Sequence, residues 1–185
     1  MDGVGVSERF SENDMSIGTR SANIKYLNVS CGKFKYRDEE HGFVDGTYIG
    51  HVIEHDEGNA ERHIDPYDKI TLTLVDGDET YYVSGRMGTC YSWMLASYMD
   101  SVSPGDVIGI DVIPGTDNSK VTVCFVKKGK KNVPRIDMGD DKHAKAEEIF
   151  RAHPGYGLET TGVPGSSGTS DLADGTDEYD PFQKD

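Results

Sequence analysis

Between residues 24 and 126, apolar and polar positions alternate mostly with period two, the spacing of strands that bury one face. In Ile24-Lys25-Tyr26-Leu27-Asn28-Val29 the apolar positions are 27 and 29, and Lys33-Phe34-Lys35-Tyr36-Arg37 interleaves cations with aromatics. Both predict short strands joined by a turn at Cys31-Gly32. Thr47-Tyr48-Ile49-Gly50-His51-Val52-Ile53 is β-rich but interrupted by Gly50, which suits a bulge or the sharp bend that closing a small barrel requires. Residues 55–67 are polar and read as a loop. Ile70, Leu72 and Leu74 then alternate with Thr71 and Thr73, Asp76-Gly77-Asp78 supplies a turn, and Tyr81-Tyr82-Val83 completes a hairpin. After Gly88-Thr89 the period changes. Tyr91, Met94, Leu95, Tyr98 and Val102 recur at spacings of three and four, predicting a helix that Pro104-Gly105 stops. Residues 107–113 and 121–126 form a second hairpin across Pro114-Gly115-Thr116-Asp117-Asn118.

A bent strand, a hairpin, a helix and a second hairpin are the order of an all-β, five-stranded OB-fold barrel, with one or two short helices and an N-terminal strand extension. The helix would plug one barrel end. An SH3-like barrel with an insertion is the competing architecture. The expected organisation is a disordered arm over 1–22, the OB domain over 23–135, a short helix and connector over 136–161, and a flexible linker with an acidic tail over 162–185. In the connector, Asp141 can cap a helix whose stripe is Ala146, Ile149 and Phe150, and Pro154-Gly155 ends it. Residues 162–176 are rich in Gly, Ser and Thr. No internal repeat is present.

Composition qualifies this picture. Only 35% of the 185 residues are hydrophobic, so part of the chain is expected to lie outside a packed core. The net charge of −14 argues against nucleic-acid binding by the whole surface, but the charge is unevenly spread. Residues 171–185 hold six acids and one lysine, leaving the central region mildly negative and able to carry a local basic patch. Cys31, Cys90 and Cys124 are odd in number and far apart, which implies no disulfide framework and fits a reducing compartment. With no apolar run of transmembrane length and no signal-peptide core, the expected location is the cytoplasm.

If Ile70, Leu72, Leu74 and Val83 face inward, Thr71, Thr73, Tyr82, Ser84 and Arg86 must face outward. A base can stack on Tyr82 while Arg86 holds a phosphate. Lys33, Lys35, Tyr36 and Arg37 repeat that mixture upstream, and Val126-Lys127-Lys128-Gly129-Lys130-Lys131 extends it, with Tyr48 and Trp93 as further stacking candidates. The plainer explanation is that tyrosines favour strands and lysines blunt exposed edges; for Trp93 packing is the stronger reading. The tip Asp177-Glu178-Tyr179-Asp180-Pro181-Phe182 suits a basic pocket with an apolar floor on a partner, since solubility alone requires neither Tyr179 nor Phe182. Folded back over the chain's own basic groove, the tip would compete with nucleic acid. His51-Val52-Ile53-Glu54-His55 matches the H-x-x-E-H spacing of some zinc proteases. On a strand the two imidazoles stand about 13 Å apart and cannot share one metal, so no metal and no cofactor is expected. Cys90, near a helix start, reads as a structural thiol.

Tyr26-Leu27-Asn28-Val29-Ser30-Cys31-Gly32-Lys33-Phe34 and Lys127-Lys128-Gly129-Lys130-Lys131-Asn132-Val133-Pro134-Arg135, with the barrel pattern between them, resemble the single-stranded DNA-binding proteins of bacteriophages, particularly crAss-like ones. The resemblance covers roughly residues 24–135. The tail is similar in kind to that of bacterial single-stranded DNA-binding proteins, which ends Asp-Ile-Pro-Phe. Here Asp180-Pro181-Phe182 lacks the isoleucine, and Gln183-Lys184-Asp185 follow the phenylalanine. The resemblance implies sequence-independent, non-catalytic coating of single-stranded DNA during replication or recombination. The tail would recruit a partner protein of those processes, one encoded by the phage rather than the host. Two other classes compete: an OB-fold adaptor that binds protein and not DNA, and a hydrolase using His51, Glu54 and His55.

Overall fold

The computed structural model describes residues 23–158. The expectations for 1–22, for the linker, and for the tip residues Asp177, Glu178, Tyr179, Asp180, Pro181 and Phe182 lie outside them. Among the described residues nine strands form one sheet: β1 (Asn23–Ser30), β2 (Lys33–Tyr36), β3 (Glu39–His41), β4 (Phe43–Asp56), β5 (Tyr67–Asp76), β6 (Glu79–Arg86), β7 (Val107–Pro114), β8 (Thr122–Lys128) and β9 (Lys131–Asn132). Their spatial order is β3-β2-β1-β6-β5-β4-β7-β8-β9. The count exceeds the five expected because the N-terminal segment adds a three-stranded meander and β8 turns back into β9. All pairings are antiparallel except β1 with β6, which run parallel in a register that sets Tyr26 opposite Tyr82 and Leu27 opposite Val83. Two short helices, α1 (Cys90–Tyr98) and α2 (Lys142–Ala152), complete the body.

The long strand β4 organises the sheet. Residues 43–47 pair with β7 and residues 47–56 with β5, with a register shift between Tyr48 and Gly50. The bulge forecast at Gly50 is therefore present, and glycine has a second reason to be there. A Cβ at position 50 would lie 2.4 Å from the Leu158 carbonyl and 2.6 Å from that of Gly155. The segment leaving α2 crosses β4 at this point, bonding to both backbone groups of His51. At the far end, the Gly32 N–H donates to Thr122 Oγ1 at 2.8 Å, and Gly32 (φ +74°) leaves no room for a side chain against Pro114. These contacts bring the β1–β2 turn against β7 and β8 and curl the sheet into a half-barrel.

Ile70, Leu72, Leu74, Val83, Ile108, Ile110, Val112, Cys124 and Val126 point into the concavity, as alternation requires. Each of the aliphatic side chains contributes about 1.5–3 kcal/mol of burial. The α1 stripe is buried as expected, but Ser92, Ala96 and Ser97 on its other faces are buried too. The helix packs against β6, β8 and α2 at once, and the two serines return their hydroxyls to the Thr89 and Met94 carbonyls. Thr89 caps α1 reciprocally with Ser92. Asp141 does precede α2, but its side chain makes no capping hydrogen bond. Ala146 and Phe150 join the central core, so α2 is an integral part of the body.

The Tyr91 ring lies over Gly85, and its buried hydroxyl has no hydrogen-bond partner among the described residues. Tyr91→Phe removes that uncompensated dipole and should stabilise the protein by about 1 kcal/mol. Thermal denaturation reads this as a rise in Tm; a fall would mean that the hydroxyl is satisfied. No helix of the described residues is long and apolar enough to cross a membrane.

Candidate functional site

The outer face of β2, β1, β6 and β5 carries the most coherent group of exposed rings and polar atoms. Tyr26 on β1 and Tyr82 on β6 stack, with centroids 5.2 Å apart and planes 20° from parallel. Tyr26 is 47% exposed and Tyr82 half-buried. The register extends the same face outward. Asn28 and Ser84 form the next row, Asn28 pairs with Lys35, and Ser30 pairs with Lys33. Two residues beyond Ser84 is Arg86, whose guanidinium lies 4.4 Å over the Tyr67 ring. On the β5 side, Ser84 Oγ contacts Thr71 Oγ1, and Thr71 Oγ1 donates to Glu54 Oε2, both at 2.9 Å. The platform is thus two rings with the Asn28 amide and Ser84 hydroxyl beside them, the Thr71 hydroxyl buried next to Ser84, and cations at its margins.

Several predicted site residues lie elsewhere. Tyr48 is wholly buried, so it cannot stack on a base. The bulge after it turns both Tyr48 and His51 inward beneath α2. Tyr36 lies on the inner side of β2, packed against the core, with the Arg37 guanidinium 5.2 Å from its ring centroid. Trp93 is on α1, away from the sheet's outer face, under the ammonium of Lys142 at 4.5 Å. Lys127 ion-pairs with Asp111, and Lys128 pairs with Asp106 at 2.7 Å. Both sit on β8, four strands from β6 in the sheet order. Lys130 and Lys131 are exposed beside them, without an ion-pair partner among the described residues. The basic run and the tyrosine platform therefore do not form one row. Lys35 is partnered by Glu40 at 3.6 Å, whereas Lys33 is exposed and has no ion pair among the described residues.

Sequence reasoning missed Tyr26 as a site residue. Alternation around the inward Leu27 does turn position 26 outward, but its partner ring belongs to a strand more than fifty residues away, joined by a parallel pairing no local signal reveals.

A second feature lies beneath the sheet. Trp93, Ile136, Met138, Arg135, Asp137 and Lys142 line a cleft of about 440 Å3. The Asp137 carboxylate accepts from the Gly139 N–H at 2.9 Å, and the Lys145 ammonium donates to the Asp137 carbonyl. Cys90, next to this region, is half-buried. Desolvation pushes its thiol pKa up and outweighs the opposite pull of Lys142, so a helix start does not activate it.

The H-x-x-E-H residues are divided between environments. His51 Nε2–H donates to the Phe150 carbonyl at 2.7 Å, which leaves Nδ1 to accept from the Tyr48 hydroxyl at 2.5 Å. Burial holds the His51 pKa down to about 4, with His153 adding to the shift and the Phe150 carbonyl opposing it. Burial likewise raises that of the Tyr48 phenol, which keeps its proton to donate. His153 completes the cluster, with Nε2 donating to the Val102 carbonyl at 2.7 Å and Nδ1 accepting from the Gly155 N–H at 3.0 Å. His55 is exposed and bonds Asp68 at 2.8 Å. No group of three or more metal-ligating side chains occurs among the described residues.

No protein-family model, no curated protein and no solved structure matches this chain.

Proposed function

We propose that the protein is a non-catalytic, sequence-independent single-stranded DNA-binding protein of replication or recombination, built on an OB-fold. The observation that carries this reading is the stacked, outward Tyr26–Tyr82 pair with Lys33, Lys35 and Arg86 around it. Every base has a face that can stack on such rings, which makes the affinity tolerant of sequence. Within the OB assignment, β4, β5, β6, α1, β7 and β8 follow the order of the barrel's five strands and intervening helix. The β5–β6 surface then corresponds to the strand 2–3 face on which OB-folds take oligonucleotides. The resemblance of residues 26–34 and 127–135 to bacteriophage single-stranded DNA-binding proteins points the same way, and the acidic tip serves to recruit a partner protein.

Titrating a labelled oligo-dT and a duplex of equal length at two salt concentrations tests the proposal. The oligo-dT should bind and the duplex should bind far more weakly. Lys35, Lys127 and Lys128 already have carboxylate partners, so the salt dependence should be shallow. Two to four phosphate contacts correspond to a log–log slope of roughly −1.4 to −2.8. Equal binding of both nucleic acids would overturn the stacking basis, and binding of neither would favour a protein-binding adaptor. A specific observation supports that second reading: Phe43 (62% exposed) and Ile113 (47%) are exposed apolar side chains that lie diagonally across from each other on the outer side of β4 and β7.

A further inference from the structure

We propose that the cleft between α1 and residues 135–142 is the docking site for the chain's own acidic tip, residues 177–182. The tip combines three acids with Tyr179 and Phe182, and the cleft offers a matching chemistry. Trp93, Ile136 and Met138 line it with apolar surface, while Arg135 and Lys142 line it with positive charge, the Lys142 ammonium lying 4.5 Å over the Trp93 ring. Asp137 is the one carboxylate among the lining residues, and its charge is turned onto the Gly139 N–H. Its volume of about 440 Å3 lies within the roughly 300–1,000 Å3 range of pockets that enclose small ligands, enough for one aromatic side chain and its neighbours. The tyrosine platform is a poorer destination for an acidic peptide, because Lys35 nearby is already paired and Glu54 borders it. Lys127 and Lys128 are likewise neutralised by Asp111 and Asp106.

The connection is long enough. Lys142, at the cleft, begins α2, and the helix's 11 residues carry the chain about 16 Å away. The chain leaves the described body at Leu158, and the 18 residues 159–176 separate it from the tip. A Gly/Ser-rich segment of that length has a root-mean-square span of roughly 21–25 Å, more than the rise of α2. Docking within one molecule therefore needs no stretching. It also leaves the tyrosine platform open, so the proposal is independent of the DNA-binding reading.

Trp93 is the chain's one tryptophan, and its fluorescence reports the cleft directly. In the full-length protein without nucleic acid, the Stern–Volmer constant for acrylamide quenching should at least double in a Tyr179→Ala/Phe182→Ala variant. The variant's Tm, measured alongside, should equal that of the native protein, which separates loss of docking from loss of fold. Arg135→Glu should have the same effect in the otherwise native chain, and combining both changes should add little. Unchanged quenching in the tail variant overturns the proposal. So does a quenching constant of the native protein that rises on dilution, since that would make the occupant another copy. Failure here leaves the oligo-dT titration unaffected, and the two results can be told apart.

Discussion

Tyr82→Ala should weaken oligo-dT binding by roughly 5- to 150-fold, measured by fluorescence anisotropy. Stacking of a base on an aromatic side chain contributes about 1–3 kcal/mol, and each 1.4 kcal/mol is tenfold in affinity. Tyr26→Ala should fall in the same range, but the two losses should not add. The rings are 5.2 Å apart and each fixes the other's plane, so removing either already spoils the platform for its neighbour. Neither change should lower Tm much, because both rings stand outside the buried core. Lys127→Ala is the informative contrast. Its ammonium is held by Asp111, so its removal should change affinity little. A double tyrosine variant that binds oligo-dT like the native protein would leave the nucleic-acid reading without its principal support.

The second large effect concerns pH. His51 is 1% exposed, carries its proton on Nε2 and has a folded pKa near 4, against about 6.5 in an unfolded chain. The fold binds the neutral imidazole, so this contribution is complete above pH 6.5. It declines as pH falls through that value and is gone below about pH 4. The difference of about 2.5 pH units corresponds to roughly 3 kcal/mol. Protonation also removes the acceptor on which the Tyr48 hydroxyl depends, beside a second imidazole at position 153. Urea denaturation at pH 7, 5.5 and 4 should show the native protein losing about 3 kcal/mol more than His51→Gln, whose side chain cannot take a proton in this range. Parallel losses in the two proteins would mean that His51 is not the titrating group.

Much of the body is legible from local pattern. The two hairpins, the α1 stripe and the glycine at the β4 bend all follow from alternation, turn residues and a change of period. What escaped is non-local. Nothing near Tyr26 or Tyr82 announces that their strands pair side by side, yet that pairing makes the candidate site. Tyr48 looked available because a bulge expected at Gly50 does not say which way the residues on either side of it turn. The bulge after it instead places two neighbouring aromatics beneath α2, and only the packing of residues 142–158 reveals why. The basic run over 127–131 was read from composition as a phosphate-binding stripe. Composition cannot disclose that Asp111 and Asp106 lie across from its first two lysines.

On the proposed reading, the parallel seam between β1 and β6 would tie DNA capture to the integrity of the N-terminal meander. One half of the aromatic pair arrives with the first described strand and the other with the sixth, so peeling β1 away dismantles the site without disturbing the central meander. Any strand of DNA lying across both rings therefore acts as a staple over that seam. Amide hydrogens of residues 24–28 would exchange more slowly in the complex than in the free protein.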